Sequence, residues 1–159
     1  MKKIKYYIII CLLIVSCKKT NKAAQAENSN LELETFIANY YSVMSQRDWV
    51  AYKSFFTDKA ILTTIWQEAN DLAPKLHTNS ITEFLAQTEN GPDSQPIFEE
   101  RPIKINIIKE KNLASAWVYY EAEFGTEDNL IQWKGYDVFS LLKFKDKWHI
   151  ISITYISDN

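Results

Sequence analysis

Hydrophobic and polar positions alternate through the second half of the chain in a way that predicts four consecutive strands. Ile103, Ile105 and Ile107 recur with a period of two inside the segment 97–109, which is the spacing of side chains on one face of a strand. Three further runs, rich in β-branched and aromatic residues and separated by short polar breaks, are 113–124, 131–144 and 148–156. This pattern is typical of consecutive antiparallel strands.

Hydrophobic positions with a helical period precede these strands. Ser29 and Glu32 have capping-box spacing and predict a first helix from Ser29. Its apolar face would comprise Leu33, Phe36, Ile37, Tyr40, Tyr41 and Met44. Asp48 is the expected N-cap of a second, shorter helix. The buried side of that helix would hold Trp49, Tyr52, Phe55 and Phe56. Ser80 and Glu83 repeat the capping box and predict a third helix to about residue 87.

The segments between these elements complete the predicted order. Residues 60–66 are typical of a strand, whereas 67–79 is polar, contains Pro74 and predicts a loop or short helix over a pocket mouth. Segment 89–96, which holds one glycine and two prolines, predicts a loop. The expected fold is therefore α+β, with three N-terminal helices on one face of a curved antiparallel sheet and a cavity between the layers.

The first residues have a different pattern. A lysine-rich start precedes ten apolar residues, 6–15, a run too short to cross a bilayer and typical of a signal peptide. The sequence Ser16-Cys17 after this run resembles a bacterial lipobox. The resemblance implies a signal peptide over 1–16, a lipidated Cys17 with a flexible tether over 17–30, and a folded domain over 31–159. The location implied is the cell envelope, and Lys18 favours the outer membrane.

Charge and cysteine content narrow the expected partners. The formal charge is −2, and removing residues 1–16, which carry three lysines and no acid, makes it −5. Such a balance argues against nucleic-acid binding, which needs a basic face. We therefore expect membrane attachment through the lipid and not through a basic patch. Cys11 and Cys17 are the two cysteines, so the mature domain would have no thiol for catalysis or metal binding.

Several kinds of site are excluded or disfavoured by the motifs. The glycines, Gly91, Gly125 and Gly135, form no phosphate-binding loop, and no Gly-x-Ser-x-Gly sequence occurs. The two histidines are far apart, His77 in the polar segment, where we expect it to be exposed, and His149 in the last strand. Neither a metal site nor a cofactor is predicted.

Asp137 is the polar residue that the pattern leaves most open. It lies in an apolar run, so a buried carboxyl with a raised pKa is one possibility. The interpretation that we favour from the sequence is a solvated carboxylate on the outer face of the sheet. Strand alternation puts Lys134 and Tyr136 on the opposite face from Asp137. In the preceding strand it separates Tyr119 and Glu121 from a face of small residues, without showing which face is buried.

The order of elements resembles the NTF2-like superfamily, which includes SnoaL-like cyclases and ketosteroid-isomerase-like proteins. The resemblance covers about residues 31–156. It depends on the helix pair 33–56, with its Asp-Trp and Phe-Phe-Thr-Asp sequences, and on the last two strands, Lys134 to Phe139 and Lys147 to Ser152, in which Trp148 follows the final turn.

The resemblance implies where a site would lie. Ketosteroid isomerases use a tyrosine of the first helix as a donor together with carboxylates inside the cone, roles that Tyr40 or Tyr41 could take with Asp137 or Glu121. Segment 60–66 has no acid where the isomerase base would fall, and this difference counts against isomerase chemistry. Lys134 falls where some members place a basic residue, which would suit an anionic ligand.

Three functions follow as hypotheses. The first is a lipid-anchored module that binds a small apolar or amphipathic ligand in an aromatic-lined cavity. The second is a SnoaL-like or isomerase-like enzyme, and the third is a structural lipoprotein that forms a homodimer through the sheet. The candidate pocket residues are Tyr40, Tyr41, Trp66, Tyr119, Lys134, Tyr136 and Asp137.

Overall fold

The computed structural model describes residues 30–66 and 72–158. Contacts divide the chain into two compact units, 1–33 and 34–159. The described part of the first unit is 30–33, which is helical. The predicted signal peptide, Cys17 and the tether up to residue 29 lie outside the described residues. Across the described ranges, no helix combines the length and apolar character needed to span a membrane.

Residues 30–66 and 72–158 contain three α-helices, and one of them is long. The first, α1, covers residues 30–45; α2 is Trp49–Lys53 and α3 is Ile81–Leu85. The side chain of Asp48 accepts a hydrogen bond from the Ala51 amide and caps α2 as predicted. Ser80 and Glu83 form both hydrogen bonds of a capping box at α3. The predicted apolar face of α1 is buried at Ile37, Tyr40, Tyr41 and Met44.

The prediction of three N-terminal helices was wrong, because α2 and α3 have five residues each and α3 follows two strands. The second helix ends early because Phe56 opens a strand and pairs in register with Ile150. A helical period in a short aromatic segment does not show that its last aromatic residue, Phe56, will pair with another strand instead of continuing the helix. One main helix therefore covers the sheet.

In the part of the chain that the structure describes, six strands form one sheet. They are β1 Phe56–Trp66, β2 Lys75–Ser80, β3 Ile97–Glu110, β4 Leu113–Thr126, β5 Asn129–Phe144 and β6 Lys147–Ser157. The order across the sheet is β2-β1-β6-β5-β4-β3. Neighbours are antiparallel except β1 and β6, which are parallel. The four strands predicted in the second half are confirmed, and the predicted loop 89–96 contains two short 3₁₀ turns.

The polar segment 67–79 was only partly predicted. Residues 67–71 lie outside the described part, but Lys75–Ser80 is the edge strand β2 and not a loop or helix. Strand β2 pairs with β1 alone, so it needs no alternating apolar face and leaves no such signal in the sequence. His77 belongs to this strand, and its Nε2 atom is buried, contrary to the expected exposure.

The structure shows which face of the sheet is buried. In β4 the inner residues are Ala114, Ala116, Val118, Tyr120 and Ala122. Their small side chains leave room for the rings that α1 and α2 bring to this face. Irregular register at Pro102–Lys104 in β3 and at Ser140–Leu141 in β5 bends the long strands. The bends give the sheet its curvature around the inner face.

Candidate functional site

Tyr41 of α1 and Asp137 of β5 meet inside the domain. The Tyr41 hydroxyl donates a hydrogen bond to Oδ2 of Asp137, and the two residues are 1% and 5% exposed. The expectation that Asp137 is solvated on the outer face was therefore wrong. Asp137 lies on the same face of β5 as Gly135, Phe139 and Leu141, and this face is the buried one. The alternative of a buried carboxyl is the one the structure has.

Burial governs the protonation of this pair. Desolvation raises the pKa of Asp137 to about 7, although the Tyr41 hydrogen bond acts in the lowering direction. Burial and the neighbouring Asp137 charge raise the pKa of Tyr41 far above its ordinary value. Tyr41 thus remains a hydroxyl donor at any physiological pH. Asp137 changes its charge close to neutrality.

Glu100 is a second interior acid that the sequence analysis missed. Its carboxyl group is desolvated, and this burial together with the Asp137 charge raises its pKa to about 8. Ser45 of α1 fixes the backbone here, since its hydroxyl accepts from the Glu100 amide at 2.9 Å and donates to the Glu100 carbonyl at 3.0 Å. A signal existed, because Glu100 has the same parity in β3 as the buried Phe98.

An open cleft of about 350 Å³ lies between α1 and β3. Tyr41 and Glu100 both contribute to its wall, and Asp137 is one hydrogen bond behind Tyr41. The wall around them contains polar, charged and apolar side chains. The lining residues are Ala38, Tyr41, Ser42, Ser45, Gln46, Glu99, Glu100, Arg101 and Pro102. The cleft therefore offers hydroxyl, amide and charged groups, among them an acid whose pKa lies near neutrality, and the Tyr41 ring forms part of its wall while remaining 1% exposed.

Tyr40 lies in a packed aromatic cluster and not in the wall of this cleft. Its hydroxyl is 2.9 Å from the Tyr52 hydroxyl, and its ring contacts those of Tyr41, Phe56 and Phe139. Burial raises the pKa of both Tyr40 and Tyr52. The rings fill this part of the interior with one another, so much of the aromatic content forms core.

The other predicted pocket residues lie elsewhere. Tyr119 and Tyr136 are cross-strand neighbours with ring centroids 4.9 Å apart, on the outer face that Lys134 shares. Glu121 is on that face too, where Arg101 Nε donates to it at 2.6 Å. Trp66, at the end of β1, is 55% exposed. Of the seven predicted pocket residues, Tyr41 and Asp137 are hydrogen-bonded to each other, and the ring of Tyr40 contacts that of Tyr41.

No group of three or more metal-binding side chains comes together within residues 30–66 and 72–158. Asp137 accepts a hydrogen bond from Tyr41, and its negative charge disfavours ionisation of Glu100 and so raises the pKa of that carboxyl. The arrangement is suited to hydrogen bonding and proton exchange with a bound organic molecule.

A long helix over the concave face of a curved six-stranded sheet is the fold of NTF2-like domains. Solved structures share the fold at low identity. An NTF2-like protein with a cystatin-like fold from Novosphingobium aromaticivorans has a TM-score of 0.66 and 12% identity over 88% of this chain and 90% of that chain. An NTF2-like protein from Shewanella baltica has a TM-score of 0.57 and 18% identity over 83% of this chain and 95% of that chain.

The β subunit of benzoate 1,2-dioxygenase from Burkholderia mallei is also similar, with a TM-score of 0.62 and 10% identity over 81% of this chain and 90% of that chain. The model of the family described as "Putative lumazine-binding" matches residues 28–156. The chain belongs to this family. A comparison with curated proteins found no match.

Proposed function

We propose that the domain binds a small amphipathic ligand in the cleft between α1 and β3. The observation that carries this proposal is the cleft itself, a space of about 350 Å³ whose wall holds both Tyr41 and Glu100. Its volume is within the range of roughly 300–1,000 Å³ found for small-molecule sites. Six of the nine lining residues have polar or charged side chains and the other three are Ala38, Tyr41 and Pro102, a mixture that suits an amphipathic molecule.

The chemistry of the wall favours a planar ligand with a hydrogen-bonding edge. Tyr41 supplies a ring and Ala38 and Pro102 supply apolar contact, whereas Ser42, Gln46 and Glu100 supply polar groups. The raised pKa of Glu100 allows its carboxyl to donate as well as accept near neutral pH. The description of the family names lumazine, which makes lumazine the first compound to test on this chain.

Calorimetric titration of the full chain with lumazine tests the proposal. We expect saturable binding that Glu100→Gln weakens about tenfold, since a hydrogen bond to a charged or ionisable group contributes roughly 1.5–3 kcal/mol. Glu123→Gln, on the outer face, is the matched control and should leave affinity unchanged. No heat with lumazine, together with no small molecule retained by the purified chain in native mass spectrometry, would contradict the proposal.

Acid–base catalysis on a bound ligand is the second candidate, and the Tyr41–Asp137 hydrogen bond favours it. A carboxyl with a pKa of about 7 is suited to proton transfer at neutral pH. The alternative partner, Glu121, is bound by Arg101 on the other face. If this function holds, a ligand found by mass spectrometry should exchange a carbon-bound proton with deuterated water. Asp137→Asn should abolish that exchange and leave ligand affinity within a few fold.

We also propose that Cys17 anchors the chain to the cell envelope, by preference the outer membrane. The support is the order of lysines, apolar run and cysteine at the start of the sequence. Metabolic labelling with palmitate in a bacterial host tests it, and Cys17→Ser should remove the label. A labelled Cys17→Ser variant would contradict the anchor. Separation of inner and outer membranes then assigns the location.

A homodimer through the outer face of the sheet is a further proposal. Trp117 and Tyr136 are both exposed on this face, and aromatic side chains are enriched at protein interfaces. Light scattering of the Cys17→Ser chain should give twice the monomer mass, and Trp117→Ser should return it to the monomer. A monomer at high concentration would rule the homodimer out.

A further inference from the structure

Two hairpin turns bring lysines together at one end of the sheet. The turn between β3 and β4 and the turn between β5 and β6 are neighbours, because the Lys143 amide donates to the Asn112 carbonyl at 2.8 Å. We call this region the basic tip. Its members are Lys109, Lys111, Lys143, Lys145 and Lys147, accompanied by the acids Glu110 and Asp146. A chain whose formal charge is −2 therefore has a positive local surface.

The backbone of both turns is unfavourable for lysine. Lys111 has φ 54° and Lys145 has φ 51°, and Asp146 follows with φ 61°. Two-residue hairpin turns with positive φ strongly prefer Asn-Gly or Asp-Gly, because a side chain in the left-handed region is strained. On conformational grounds alone, glycine or asparagine would be favoured at these positions. A lysine in their place contributes a positive charge.

Exposed apolar side chains accompany the charge. Phe144 is 64% exposed and Leu113 is 55% exposed. Leu113 and Leu142 are cross-strand neighbours on the outer face, next to the turns. The Lys145 ammonium lies 5.2 Å from the centre of the Phe144 ring. A large ring and leucines thus stand among ammonium groups at the end of a rigid sheet.

We infer that the basic tip docks on the surface of an anionic phospholipid bilayer. The lysines would meet phosphate groups while Phe144 and the leucines enter the interface, a combination typical of interfacial membrane contacts. A second copy docking tip to tip would bring like charges together. This inference differs from the expectation, drawn from the whole-chain charge, that membrane attachment does not involve a basic patch.

Vesicle binding of the full chain with Cys17→Ser, which excludes acylation, tests the inference. Partition coefficients are measured by co-sedimentation with phosphatidylglycerol–phosphatidylcholine vesicles and with phosphatidylcholine alone. The double variant Lys111→Asn, Lys145→Gly should lose anionic-vesicle affinity by about fivefold for each lysine. It should also unfold at a higher urea concentration than the parent, because it relieves two strained turn positions. A gain in stability with a loss of binding cannot come from misfolding.

Lys104→Gln, which removes one lysine charge from the middle of β3, is the control for each single lysine of the double variant and should retain binding. Phe144→Ser should weaken binding to anionic vesicles at high salt, where the lysines are screened. Equal partition of parent and double variant would overturn the inference. So would a loss in the double variant that Lys104→Gln reproduces, or a change in oligomeric mass that accounts for the loss.

Discussion

The hydroxyl of Tyr41 donates a hydrogen bond to Asp137, and this bond joins α1 to β5 across 96 positions of the chain. Both partners are buried, so neither can be hydrated if the other is removed. Together with the Ser45–Glu100 hydrogen bonds, this bond fixes the helix over the concave face at the wall of the cleft. It combines a structural role with control of the charge next to the proposed ligand.

Tyr41→Phe should destabilise the domain and change the titration of Asp137. Deleting the hydroxyl leaves a buried acceptor without its donor, which costs about 1–3 kcal/mol. The hydrogen bond lowers the pKa of Asp137, so its loss should raise that pKa further. Urea unfolding at several pH values measures both effects. Tyr136→Phe, at an exposed tyrosine, is the control, and equal effects of the two substitutions would contradict the assigned bond.

The fold was predicted where local chemistry determines it. Capping side chains at Asp48 and Ser80 and polar breaks between aromatic runs act over a few residues, so these starts and turns are visible in the sequence. The short α2 and the edge strand β2 were missed. Phe56 joins a strand through pairing with β6, and β2 has little apolar surface to bury, so both depend on distant partners.

The site was less predictable than the fold because strand alternation sorts residues onto two faces of the sheet but does not show which face is buried. Asp137 and Tyr136 belong to opposite faces on any reading of the pattern, but only packing against α1 shows which face is inside. Glu100 shares the parity of Phe98, but parity alone does not show that this face of β3 is the inner one. Glu100 and Asp137 therefore converge on one interior from strands β3 and β5, although 37 positions separate them in the sequence.

Stability should fall as pH rises from about 4 to 8. The pKa of Asp137 is about 7 against an ordinary 3.8, and that of Glu100 is about 8 against 4.5. The folded state therefore binds more protons than the unfolded state in this interval, so each rise in pH costs stability until both groups are ionised. Urea midpoints from pH 4 to 9 measure the trend.

Neutral analogues separate the two contributions to this pH dependence. Asp137→Asn should remove the part that develops up to pH 7 and should also lower the pKa of Glu100, which the Asp137 charge helps to raise. Glu100→Gln should remove the part that extends to pH 8. If the double variant kept the full slope, these two carboxyls would not be its origin.

Ser45→Ala should loosen the edge of the cleft. The Ser45 hydroxyl makes two hydrogen bonds to the backbone of Glu100, at 2.9 and 3.0 Å, and thereby ties β3 to α1. Their loss should cost about 1–2 kcal/mol and raise hydrogen exchange at residues 98–102. Ser42→Ala, one helical turn earlier and exposed, should leave exchange there unchanged. Unaltered exchange in Ser45→Ala would show that the tie does not hold the strand.

Gly135→Ala should be among the most disruptive single-methyl changes in the sheet. A Cβ at this position would lie 2.2 Å from the Ile156 carbonyl oxygen and 2.7 Å from the Tyr120 hydroxyl oxygen. Tyr120 is the register partner of Gly135 in β4, so its ring covers the strand where a side chain would otherwise stand. Relief of the clash requires movement of β6 backbone and not only of a flexible side chain.

Overpacking of this kind costs roughly 1–3 kcal/mol or more, and we expect the urea midpoint to fall accordingly. Ser140→Ala, in the same strand, should change the free energy of unfolding by less than about 0.5 kcal/mol, as is usual away from such contacts. Burial, together with the nearby charges of Glu100 and Asp137, raises the pKa of Tyr120, so Gly135→Ala should disturb the pH dependence of stability as well. A Gly135→Ala chain as stable as Ser140→Ala would show that β5 and β6 are farther apart at this position than described.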